Sequence, residues 1–333
     1  MVWAGRQTLD QLENREWLQK QWHPWLDKNI LWRTLWQRVF LNREAKKNCH
    51  ILFLPAANTT NFRPYISMCQ NLLPFDKKER QRYGWSLMRL RLKLLSIRQK
   101  RSFSRSNGVI FLSRYSKKVV DQQVPVKLST VVYHGVSSRF KASPVNLASK
   151  KQVLKLLYVS IIDVYKHQWN VVEAVFKCLQ SELPVELTLL GPKYPPAMKK
   201  VNQVMEQYPQ YKNYVTVKDF VPYEKLVSEY QNADAFIFAS SCETFGMIPL
   251  EAMSTGLPVL SSNRSAMPEI LGDSVIYFDP LSVKEIEKAI KEIHANPETL
   301  ADYSRKSLEY YKKFTWEKCA RETFSFISKA TEN

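Results

Sequence analysis

At 333 residues the chain is long enough for two domains of ordinary size, and its 45% hydrophobic and 24% charged residues place it with globular proteins, excluding disordered and fibrous classes. Five scattered cysteines without a C-x-x-C pair argue against a disulfide framework and a zinc site, and fit a reducing cytoplasm. The net charge of +18 is one-sided: residues 1–150 hold 28 Lys and Arg against 8 Asp and Glu, a balance of +20, while residues 151–333 hold 21 against 23, a balance of −2.

Such a field directs the first half toward a polyanion: an anionic membrane surface, nucleic acid or an acidic substrate. Asp10, Glu13, Arg15 and Glu16 interrupt any signal-peptide core, and eighteen apolar residues nowhere run together. Neither a leader nor a membrane span is therefore expected.

In chain order, residues 1–48 place Trp17, Trp22, Trp25, Trp32 and Trp36 among charges and read as helical segments broken at Pro24. Short apolar runs at 50–55 and 65–73 read as buried strands. From 76 to 103 the period becomes helical, with Tyr83, Leu87, Leu90, Leu94 and Ile97 on one stripe and Arg82, Arg89, Lys93 and Lys100 on another. This basic amphipathic segment reads as a core-packed stripe with a solvated face, as an attachment to anionic lipid, or as a nucleic-acid surface. No finger spacing or aromatic RNA-binding motif supports the last, and no nucleic acid is expected as a partner.

Strands are expected at 109–113 and 130–133, then a linker over 141–152. Beyond it, strands near 153–160, 185–190, 215–221, 235–240, 259–262 and 275–278 alternate with helices at 168–182, 196–208, 223–232, 246–255 and 283–295. Strict alternation implies a parallel sheet covered by helices, with ligands at the carboxyl ends of its strands.

One such end carries the densest chemistry. After the strand ending near Ala239 comes the polar loop 240–245, and a helix opens near Gly246 with Pro249 in its first turn, where a missing N–H costs little. The amides of Phe245, Gly246, Met247 and Ile248 would then point outward with the positive helix end, which suits a diphosphate, and Gly246 lets the backbone approach closely. Glu243 on the loop and Glu251 in the second turn can reach one cleft from two depths, where a carboxylate suits a sugar diol. A plainer reading has Glu243 capping the helix and Glu251 on the surface.

The segment Ser241 to Val259, S-C-E-T-F-G-M-I-P-L-E-A-M-S-T-G-L-P-V, resembles the E-x7-E signature of glycosyltransferase family 4 (group 1), retaining enzymes of the GT-B fold. The resemblance continues through Ser262-Asn263-Arg264, Pro268-Glu269 and Phe278-Asp279-Pro280, and upstream into Phe220-Val221-Pro222, spanning roughly residues 48–328. It implies an α/β fold with two Rossmann-like domains facing across a cleft. An acceptor-side domain at 1–143, its first βαβ portion absent or replaced, would face a donor domain at 150–314, and the last segment, 315–333, would cross back onto the first.

By resemblance, Glu251 holds the nucleotide ribose, Glu243 lies beside the donor sugar, Thr244 to Ile248 cradle the diphosphate, and Val221 lies by the base. Lys166, in Tyr165-Lys166-His167-Gln168, matches the lysine that neutralises the pyrophosphate. The family's arginine five or six residues earlier is replaced by Ile161 or Ser160, with Arg264 or the basic half as substitutes. Gln70 stands where relatives place a histidine near the acceptor.

The implied activity is metal-independent, retaining transfer of a hexose from a nucleoside-diphosphate sugar, a co-substrate with no further cofactor, to a saccharide or lipid-linked acceptor in cell-envelope or surface polysaccharide assembly. The implied location is cytoplasmic, peripheral at the inner membrane face. The alternative is a non-catalytic nucleotide-sugar-binding remnant.

Overall fold

The computed structural model describes residues 1–58, 60–140 and 153–331; the linker expected at 141–152 lies outside them. Two parallel sheets organise the chain. The first runs in sequential order through β1 (Leu52–Leu54), β2 (Tyr65–Cys69), β3 (Gly108–Phe111) and β4 (Ser129–Val131). The second contains β5 (Leu154–Val159), β6 (Val185–Leu190), β7 (Val215–Lys218), β8 (Ala235–Phe238), β9 (Val259–Ser262) and β10 (Ile276–Phe278), ordered β10-β9-β8-β5-β6-β7. Parallel neighbours need a crossover, and helices covering both faces turn the strands into continuous apolar runs. Every residue of β8 is buried accordingly.

The strand order places the site. The chain winds outward from β5 to β7, then returns to pair β8 against the other side of β5. That reversal opens a crevice at the carboxyl ends of β5 and β8, where sheets of this order bind ligands. Tyr158, buried at the end of β5, ties the two loops together: its hydroxyl donates to the Lys166 carbonyl at 2.6 Å and accepts from the Ala239 amide at 3.1 Å.

The ten strands agree with the expected runs to within a few residues. The front of the chain does not. Val2–Trp3 and Lys20–Gln21 pair as a two-stranded parallel ribbon around a short helix at Arg6–Asp10, Pro24 opens a 3-10 turn, and helices α1 (Ile30–Val39) and Leu41–Asn48 follow. The segment expected as one helix from 76 divides, because Gly84 adopts φ +59° between Lys77–Gln81 and α2 (Leu87–Arg105).

The stripe of α2 also differs from its core-packed reading. Leu87, Leu90, Leu94 and Ile97 all face outward, while Leu92, Ser96, Ser102 and Phe103 are buried. The core position beneath α2 is filled by small hydroxyls that bond inward: Ser102 Oγ donates to the Asn58 carbonyl at 2.6 Å. Helices α3 (Arg114–Asp121) and Pro297–Tyr310 escape the sequence reading, being too short or too weakly periodic to stand out.

The final helix, α6 in the order α4 (Gln168–Gln180), α5 (Met247–Ser254), α6 (Trp316–Lys329), lies against glycines of the first half. Phe326 packs where a Cβ on Gly108 would stand only 2.8 Å from its ring, and a Cβ on Gly135 would lie 2.1 Å from the Trp316 amide. Both glycines are thus required for the backbone to come this close.

Candidate functional site

Lys166 follows β5 and Glu243 follows β8, so the switch point brings them together from 77 residues apart. The Lys166 ammonium donates directly to Glu243 Oε1, with only 5% of the lysine side chain and 18% of the glutamate side chain exposed. The ammonium also lies 4.7 Å from the Phe238 ring centroid and 4.9 Å from that of Tyr165. Aromatic faces and one carboxylate thus compensate a cation that burial would otherwise penalise.

The backbone around the pair is held from several sides. Ser265, at φ +63°, accepts from the Glu243 amide at 2.6 Å and donates to its carbonyl at 2.7 Å. The Tyr165 carbonyl accepts from the Ser241 amide at 2.9 Å. His167, fully buried at φ +51°, stands 2.8 Å from Ser241 Oγ. Burial, and then the charges of Arg82, Lys200 and Arg264, push its imidazole down to about 3, so it is neutral near pH 7.

Gly246 opens α5 at φ +108°, and an added Cβ would meet the Met267 methyl at 2.5 Å, so glycine alone fits both the conformation and the space. The first-turn amides of α5, including Met247 and Ile248, have no intrahelical acceptor. Met247 and Ile248 remain partly exposed. Phe245 is buried, its ring packed at tilted and edge-on angles against Tyr133, His134 and Phe314.

One turn further, Glu251 is partly buried with Tyr230 Oη 3.5 Å away; burial pushes its carboxyl up to about 7, against the tyrosine's opposing effect. Val221 follows the edge strand β7 on the same carboxyl edge, two strands from the switch point, and is half-buried beside the exposed Phe220.

The N-terminal half closes over this loop. Thr244 Oγ1 donates to the Gln70 carbonyl at 3.2 Å, and Ser113 Oγ, at the amino end of α3, donates to the Thr244 carbonyl at 2.7 Å. Glu269 accepts from the Arg114 and Tyr115 amides at 2.7 and 2.8 Å and from the Tyr133 hydroxyl at 2.8 Å, a carboxylate at the positive end of α3. Between the halves lies a cleft of about 320 Å³. Gln70 and Asn71 line it from one side, and Asp163, Tyr165 and Glu243 from the other.

Tertiary context bears on three further residues. Arg264 is not a free cation: its guanidinium forks onto Asp279 at 2.7 and 3.0 Å. Gln70 contributes its backbone carbonyl to Thr244. Asp163, which no motif marks, faces the cleft, receiving the Tyr83 hydroxyl at 2.9 Å from the other half. Burial raises its carboxyl, opposed by the Val164 amide and Tyr83. Sequence reasoning had no access to Tyr83 and Asp163 because they meet across 80 residues.

Two parallel-sheet halves on either side of a polar cleft give the chain the GT-B architecture. The chain belongs to the family of glycosyl transferases group 1, whose sequence profile matches residues 140–310. It is 35% identical over 106 residues to the O-antigen chain mannosyltransferase B of Escherichia coli, covering 32% of this chain and 28% of that protein. It is 23% identical over 292 residues to the serotype-specific mannosyltransferase WbdA of Escherichia coli, covering 82% of this chain and 34% of that one. The matches thus span about a third of those relatives' length. Among solved structures, sucrose-phosphate synthase from Thermosynechococcus elongatus superposes with a TM-score of 0.71 at 16% identity, covering 90% of this chain and 77% of that one.

Proposed function

We propose that the chain is a retaining, metal-independent glycosyltransferase that moves a hexose from a nucleoside-diphosphate sugar to a saccharide or lipid-linked acceptor in surface-polysaccharide assembly. The observation that carries this reading is the buried Lys166–Glu243 pair at the switch point, beside the amino end of α5. A diphosphate entering there would exchange with Glu243 for the Lys166 ammonium and meet the first-turn amides, so the leaving group's growing charge finds donors already oriented. Glu243, released, would face the sugar and stabilise positive charge at its reacting carbon. Glu251 would accept the ribose hydroxyls, and Val221 would flank the base. The hydroxyl-rich acceptor would occupy the polar cleft, oriented by Asp163 and Asn71. The names of the mannosyltransferase relatives favour a mannosyl donor.

The test is a panel of nucleoside-diphosphate sugars scored by thermal shift and by donor hydrolysis. A donor that stabilises the chain and is turned over is expected, with Lys166→Ala lowering kcat about a hundred- to a thousandfold, as for loss of one charge-stabilising donor. Absence of stabilisation by every nucleotide sugar overturns the reading. A non-catalytic binding role has one observation in its favour: Ser160 and Ile161 leave no cation beside Lys166 on that loop. Stabilisation without turnover would select it.

A further inference from the structure

The N-terminal half leaves an apolar and basic face uncovered. Trp85 is 98% exposed and Leu87 86%, and Leu90, Leu94 and Ile97 along α2 are each more than half exposed. Helix α1 adds exposed Ile30, Leu31, Leu35 and Val39. Single exposed leucines need no explanation, but large apolar side chains massed on two adjoining helices mark an interaction surface. At about 100° per residue, Leu87, Leu90, Leu94 and Ile97 share their side of α2 with Arg91, Arg98, Arg101 and Arg105. Neither helix contains an acidic residue.

Between the helices runs a groove of about 520 Å³, lined by Arg38 from α1 and by Leu94, Ile97, Arg98, Arg101 and Arg105 from α2. Among the described residues none of these four guanidinium groups has a carboxylate in salt-bridge range. Arg98 donates to Asn58 Oδ1 at 2.7 Å, and its burial, with Arg38 close by, disfavours its charge. Arginines gathered without a counter-ion against apolar walls call for an anion from outside.

We propose that α1 and α2 form a docking face for an anionic bilayer, in which the groove takes a lipid headgroup phosphate while Trp85, Leu87 and Leu90 enter the acyl boundary. Charge complementarity selects this occupant. A protein partner of ordinary composition would meet cations with no acidic residues among them to pair its own, and a nucleic-acid groove would offer aromatic stacking where Leu94 and Ile97 stand. An arginine fork suits phosphate oxygens, and tryptophan with leucine suits the interface. The inference rests on this surface alone and not on the transferase reading.

The intact chain is floated with vesicles of phosphatidylcholine alone or mixed with phosphatidylglycerol. Binding to the mixed vesicles only, weakening as salt rises, is expected. The double variant Arg101→Gln, Arg105→Gln, at exposed groove positions, should lower partitioning roughly thirtyfold at an unchanged melting temperature. Leu87→Ser with Leu90→Ser should weaken it even at low salt. Millimolar inorganic phosphate should leave vesicle binding in place. Equal binding to neutral vesicles, unchanged partitioning of both variants, or displacement by single-stranded RNA at matched ionic strength would overturn the proposal. Nucleotide-sugar stabilisation of the same variants, read in parallel, keeps a failure here distinct from a failure at the cleft.

Discussion

The two halves share a parallel-sheet design but distribute their apolar surface in opposite ways. In the C-terminal half, β8 and β9 are wholly buried, β5 and β6 mostly so, and the half carries −2, so the hydrophobic residues of these strands serve the core and the polar loops serve the crevice. In the N-terminal half, with +20, the two longest helices bury small or few residues and turn leucines outward. Leucine is thus core along β6 and surface along the outer stripe of α2, and its energetic consequence should differ accordingly.

The largest contrast is expected from matched leucines. Leu187, 1% exposed in β6, should cost about 2–5 kcal/mol when changed to alanine, measured by chemical denaturation, because the cavity left cannot fully collapse. A loss below about 1 kcal/mol would break the view of that sheet as the rigid scaffold of the site.

Glu251 sharpens the comparison on the electrostatic side. Its folded carboxyl, near 7, lies above the ordinary glutamate value of 4.5, so the folded state holds the extra proton between those values and stability falls as pH rises through that window. Glu251→Gln should therefore raise the melting temperature at pH 8 relative to wild type, and do so less at pH 5. If the ionised carboxylate grips a ribose diol, wild-type donor affinity should increase from pH 6 to 8, and the variant should lose that rise. A flat wild-type profile would detach Glu251 from the donor.

The smallest effect is assigned to Leu94→Ala, which should change stability by less than about 0.5 kcal/mol, as for other surface substitutions. Destabilisation by more than about 1 kcal/mol would show the outward stripe to be structural.

Much of this was legible beforehand for a physical reason. Strand and helix periods in the second half, the glycine at the head of α5 and the eight-residue spacing of Glu243 and Glu251 are local features, and local sterics and burial impose them on the sequence directly. The outward turn of α2 was not legible, because a helical stripe is equally apolar whether it meets a core or a membrane, and only neighbours decide. The interface of the halves was likewise hidden: Glu269 on α3, Tyr83 on Asp163 and Asp279 on Arg264 are chosen by proximity after folding.

By itself the sequence determined the alternating α/β order, the one-sided charge and the motif at 241–259, since each depends on composition and short spacing. Only the tertiary structure decided that Lys166 and Glu243 pair, that Arg264 is spoken for, and that four arginines gather without a counter-ion among the described residues. Those facts follow from sheet order and helix docking, which bring together residues that no short window of sequence contains.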